Sequence, residues 1–89
     1  MRHYHVIDGE TGRAKCHTTP GWALHQWHRM LTRALQAVKD DATFLEIDTR
    51  RNLTTEADLE CTGRVEETVN GVTYVVEATD ACDRTLEHI

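Results

Sequence analysis

Three features of the sequence predict an α+β domain, with a single antiparallel or mixed β-sheet and one amphipathic helix packed across one face. Residues 19–39, TPGWALHQWHRMLTRALQAVK, carry apolar side chains at helical spacing. Two glycine-bearing turns, Gly9–Gly12 and Asn70-Gly71, are flanked by residues that alternate apolar and polar. Residues 43–49 and 53–61 alternate as well, which adds strands between the helix and the second turn. The order is then hairpin, helix, and three or four strands.

Residues 2–8 and 13–18 pair around Gly9-Glu10-Thr11-Gly12. Placing Val6 opposite Ala14 and Tyr4 opposite Cys16 gives one apolar face. His3, His5, Lys15 and His17 then share the other, wet face. The chain turns at Thr18 and Thr19 into the helix. Thr19 is a favourable N-cap, and Pro20 fits the first helical position, where its missing N–H costs nothing. Leu24, Trp27, Leu31, Ala34, Leu35 and Val38 form the apolar stripe, widened by Ala23 and Met30. His25, Arg29, Thr32, Arg33 and Gln36 lie opposite. Lys39-Asp40-Asp41 ends the helix, with Lys39 a favourable charge for its last turn.

TFLEIDT, residues 43–49, reads as a strand with Leu45 and Ile47 on one side, and Arg50-Arg51-Asn52 as a turn. In residues 53–61, Leu53, Thr55, Ala57, Leu59 and Cys61 alternate with polar residues, which favours a half-buried strand. Thr54 ahead of Glu-Ala-Asp-Leu-Glu could also cap a short helix. Asn70-Gly71 is the strongest two-residue hairpin signal. Setting Val69 opposite Val72 pairs Val65 with Val76, Glu67 with Tyr74, Thr68 with Thr73 and Arg64 with Glu77. The Thr–Thr and Arg–Glu pairs support that register. The tail from Thr79 to Ile89 is expected to make a last turn, docking Leu86 and Ile89 on the core.

The composition narrows the function classes. The 89 residues suffice for one domain with a modest core. No apolar run approaches the ~20 residues of a membrane span. The stretch MRHYHVID has no apolar signal-peptide region, so a cytoplasmic protein is expected. Cys16, Cys61 and Cys82 are odd in number and form no CxxC pair, which points to reduced thiols. The net charge of −5 is unevenly spread: residues 1–39 hold six Lys/Arg against two acids, and residues 40–89 hold four Arg against thirteen acids. Five of the six histidines lie in the basic half.

No Gly-rich phosphate loop, nucleophile elbow or paired Cys/His motif appears, so no enzyme and no cofactor is implied. His3, His5 and His17 on one hairpin are weak metal candidates. His25 and His28 form an HxxH pair without the glutamate of a metalloprotease motif. Glu46, Asp48, Glu56, Asp58, Glu60, Glu66 and Glu67 recur along successive predicted strands. On one sheet face they would build a broad negative potential. Such a surface suits a basic protein, so these acids are candidate partner-binding residues. Trp22, Arg29 and Arg33 on the helix are a second candidate surface. In size, charge pattern and missing catalytic chemistry the chain is similar to the small inhibitors and adaptors of phages and mobile elements, anti-CRISPR proteins among them. The function expected on this reading is a non-enzymatic inhibitor or adaptor that binds a basic, nucleic-acid-handling protein. Direct nucleic-acid binding through Arg29 and Arg33 is not expected, because the acids would repel phosphate. The alternative is a metal- or nucleic-acid-binding regulator that uses the histidine-rich basic half.

Overall fold

Four antiparallel strands form an open sheet, and three helices complete an α+β fold. The computed structural model describes residues 2–80 and the backbone of 87–88. In chain order the elements are β1 (His3–Ile7), β2 (Ala14–His17), α1 (Pro20–Leu35), α2 (Asp41–Leu53), α3 (Glu56–Thr62), β3 (Arg64–Val69), β4 (Val72–Thr79) and β5 (Glu87–His88). The strand order is β3-β4-β1-β2-β5, with the short β5 running parallel to β2. The sheet is therefore mixed. Leu86 and Ile89, expected to dock on the core, lie outside the described residues, as does Cys82.

α1 forms where the apolar spacing requires it. Pro20 occupies its first turn, and Ala23, Leu24, Trp27, Leu31 and Leu35 are buried. These side chains cover the sheet face that carries Tyr4, Val6, Val69, Tyr74 and Val76. The Trp27 indole N–H donates to the Tyr74 carbonyl at 3.0 Å, which pins the helix to β4. The helix ends at Leu35, earlier than expected, so Lys39 lies beyond it and Arg33 is the basic residue of its last turn.

Residues 43–49 are not a strand; they belong to α2. Asp40 does not close the first helix but opens the second, where its carboxylate accepts from the Thr43 N–H at 3.2 Å. The Thr43 hydroxyl and N–H hold the Asp40 carboxyl below the usual aspartate range. Glu46–Arg50 and Asp48–Arg51 pair at helical spacing, and Arg50 and Arg51 fall in the last turn, where positive charge is favourable. Alternation misled because α2 is hardly amphipathic: Ile47 is its one buried residue, and Leu45 is 65% exposed.

Residues 53–61 are not a strand either. Thr55 and Asp58 form a reciprocal capping box that opens α3, and Gly63 closes it at φ 74°. Leu59 alone of this helix is fully buried, so two neighbouring caps outweigh a weak alternation.

The second hairpin has the expected register at every pair. Asn70 and Gly71 sit at φ 51° and 79°, the left-handed pair that a type I′ turn needs. Thr68 and Thr73 hydroxyls meet at 2.9 Å, and Arg64 donates to Glu77 at 2.5 Å.

The first hairpin is offset by one residue from the expected register. Tyr4 faces His17, and Val6 faces Lys15. The reason is the turn, where the Asp8 N–H donates to the Arg13 carbonyl at 2.9 Å and encloses four residues. Because side chains alternate, this one-residue offset turns β2 over. Lys15 and His17 join the helix-facing side, and Cys16 joins His3 and His5 behind the sheet. Gly9 lets the loop lie against β4, since a Cβ there would sit 2.0 Å from the Thr73 carbonyl oxygen.

Trp27 fills the space between α1 and the sheet, so Trp27→Ala should lower the unfolding free energy by about 3–5 kcal/mol. Chemical denaturation followed by circular dichroism measures this, and an unchanged midpoint would mean that Trp27 does not anchor the helix.

Candidate functional site

The turned-over β2 and the polar border of α1 enclose a groove. On α1, Trp22, Gln26, Arg29 and Arg33 recur about one turn apart and therefore line up along the helix. Lys15 and His17 share one side of the facing strand, roughly 6.6 Å apart, and Arg13 lies just ahead of it in the same lining. Val6 and Met30 provide apolar floor between the two rows. The volume is about 530 Å³. His17 and Gln26 are hydrogen-bonded across the groove, which ties the hairpin to the helix and sets the distance between its walls.

The electrostatics of this groove are one-sided. Four permanent cations line it: Arg13, Lys15, Arg29 and Arg33. Asp8 is the single acid of the lining, and its carboxylate is engaged by the N–H groups of Glu10 and Thr11 at 2.9 and 3.4 Å. Among the described residues none of the four cations takes part in an ion pair, whereas Arg2, Arg50, Arg51 and Arg64 all do. Trp22 stands at one end, 66% exposed, with its ring 5.7 Å from His25 in an edge-on contact. A large aromatic left this far in water has no role in the core.

Arg29, Arg33 and Trp22 thus come together as one surface. Sequence reasoning missed Arg13, Lys15 and His17 as their partners, because the expected register put Lys15 and His17 on the far side of the sheet. The closing pair Asp8–Arg13 around a four-residue loop was the signal that could have found them.

The expected histidine triad does not form. His17 lies on the helix side, whereas His3 lies behind the sheet with its Nδ1 3.2 Å from Cys16 Sγ. Among the described residues no group of three His, Cys, Asp or Glu side chains is placed to hold a metal ion. His25 and His28 also diverge: His25 meets Trp22, and His28 meets Trp27. Burial, then the Arg51 guanidinium and His25, lowers the His28 pKa.

The acids do not share a sheet face. Residues 41–53 and 56–62 are helical, so the candidates are divided among α2, α3 and β3. Most of them already have intramolecular partners. Glu46 binds Arg50 at 2.6 Å, Asp48 binds Arg51 at 2.7 Å and Glu66 binds Arg64 at 3.1 Å. Asp58 belongs to the α3 capping box. Glu60 takes Arg2 at 2.9 Å and the Tyr4 hydroxyl, and that hydrogen bond raises the Tyr4 pKa. Glu67 is buried on the helix side and clamped by Arg50. Glu56 is exposed and lies close to Gly21, where a Cβ would be 2.6 Å from its Oε1.

No family model matches the sequence, and no curated protein or solved structure matches it either. Among the described residues no helix is long and apolar enough to cross a membrane.

Adjacent acids on β3 should therefore behave differently. Glu67→Ala removes a buried carboxylate with charge-assisted bonds and should cost about 1.5–3 kcal/mol of stability. Glu66→Ala removes half of an exposed pair and should cost less than about 1 kcal/mol. Urea titrations of the two variants compare them, and equal losses would contradict a structural role for Glu67.

Proposed function

We propose that this chain is a non-catalytic binding module whose groove between α1 and the first hairpin takes an anionic partner. The observation that supports this most strongly is the set of four groove cations, none of which forms an ion pair among the described residues. Leaving like charges together costs stability, and the fold pairs its other described arginines. Trp22 adds an exposed amphipathic ring of the kind that dominates binding energy at interfaces. The binding reading is preferred to catalysis because the lining offers cations, an indole and imidazoles without a nucleophile and base held in contact.

A second reading rests on another surface. α2 leaves Leu45 65% and Leu53 71% exposed beside Asp41 and Glu46. Two exposed leucines with acids near them suit a protein with a basic rim, as expected of a phage-type inhibitor or adaptor.

Retention on immobilised heparin and on immobilised polylysine separates the two readings. The groove reading predicts salt-sensitive retention on heparin that Arg29→Glu with Arg33→Glu abolishes without changing the melting temperature. Retention on polylysine alone, lost on Asp41→Lys with Glu46→Lys, would replace it with the acidic surface on α2.

A further inference from the structure

We infer that the occupant of the groove is a short stretch of single-stranded nucleic acid. This rests on the reading of the groove as an anion site and adds the class of anion.

The cations are arranged in lines. Arg29 and Arg33 are one helical turn apart on one wall, and Arg13 and Lys15 are two residues apart where the chain enters β2 on the other. A compact anion needs donors that converge on one point, whereas two facing rows suit a chain with a charge at every repeat. Single-strand binders combine such a charged groove with an aromatic ring on which a base stacks. Trp22, exposed at the end of the helical row, is placed to be that ring.

An acidic peptide carries charge at a similar repeat, but extended peptides gain much of their affinity by pairing main chain with a free strand edge. β2, the groove wall, offers little: β1 pairs along one edge, and β5 pairs Lys15 and Cys16 on the other. The sheet edges among the described strands are β3, on the far side of the sheet, and β5, which at two residues is too short to pair an extended peptide. Recognition in the groove therefore rests on side chains, which phosphates and bases satisfy and a peptide backbone does not. A duplex fits poorly as well, since about 530 Å³ is the size of a small-molecule site and the cations line a recess rather than a ridge. The acidic remainder of the chain, with thirteen acids against four arginines in residues 40–89, repels phosphates beyond the groove. The bound stretch is consequently short.

The test titrates the protein with a short oligothymidylate, an oligoglutamate of equal charge and a DNA hairpin duplex, following tryptophan fluorescence. Oligothymidylate should bind and quench Trp22, because Trp27 is buried. The logarithm of affinity should fall with the logarithm of salt at a slope of about −3 for four phosphate contacts. Trp22→Ala should weaken binding by about fivefold to a hundredfold, and Trp22→Phe should recover most of that loss. If oligoglutamate binds as tightly and Trp22→Ala changes nothing, the nucleic-acid inference fails while the anion groove stands. Equal or tighter binding of the duplex overturns the single-strand assignment. If none of the three anions binds, the groove reading fails together with the inference.

Discussion

The hydrogen bond from Trp27 to the Tyr74 carbonyl sets the orientation of α1, and most of the structure depends on that orientation. An indole N–H buried without an acceptor is costly, so Trp27 can enter the core in only a narrow range of helix rotations. At about 100° per residue, directing Trp27 inward turns Trp22, Arg29 and Arg33 outward. The same contact therefore closes the core and presents the charged row of the groove. The His17–Gln26 hydrogen bond does the corresponding job for the other wall, tying β2 to the helix.

How much was legible in the sequence varied with how local the determining physics was. The α+β class, α1 and the second hairpin were legible because each is specified by nearby residues. An apolar stripe marks the helix, and Asn70-Gly71 fixes every pair of β3 with β4. α2 and α3 were misread because their apolar content is thin. Ile47 and Leu59 are their only fully buried side chains, so periodicity had little to report. What specifies these helices is polar: the Asp40 cap, the Thr55–Asp58 box, the left-handed Gly63 and the arginines near the end of α2. A cap is a short signal that two or three alternating residues easily override in a sequence reading.

The candidate site was half legible for a related reason. Trp22, Arg29 and Arg33 can be placed on one helix from spacing alone. Their counterparts Arg13, Lys15 and His17 depend on the register of the first hairpin, where an offset of one residue changes the face of every side chain. The charge totals were also misleading. The acidic half looked like the surface with charge to spare, yet its carboxylates are largely engaged in caps and ion pairs. The basic half, smaller in net charge, leaves its four groove cations outside every ion pair among the described residues. Most described acids thus serve the fold, while the four groove cations form no ion pair among the described residues and are available to the proposed partner.

The central claim is that recognition occurs between α1 and the first hairpin rather than on α2 and α3. Backbone amide chemical-shift mapping by NMR during titration with a heparin oligosaccharide tests it most directly. Shifts concentrated at residues 11–17, at the Trp22 indole and along residues 25–33 are the result this account predicts. Shifts concentrated in α2 and α3, with the groove amides and the Trp22 indole unmoved, would contradict it.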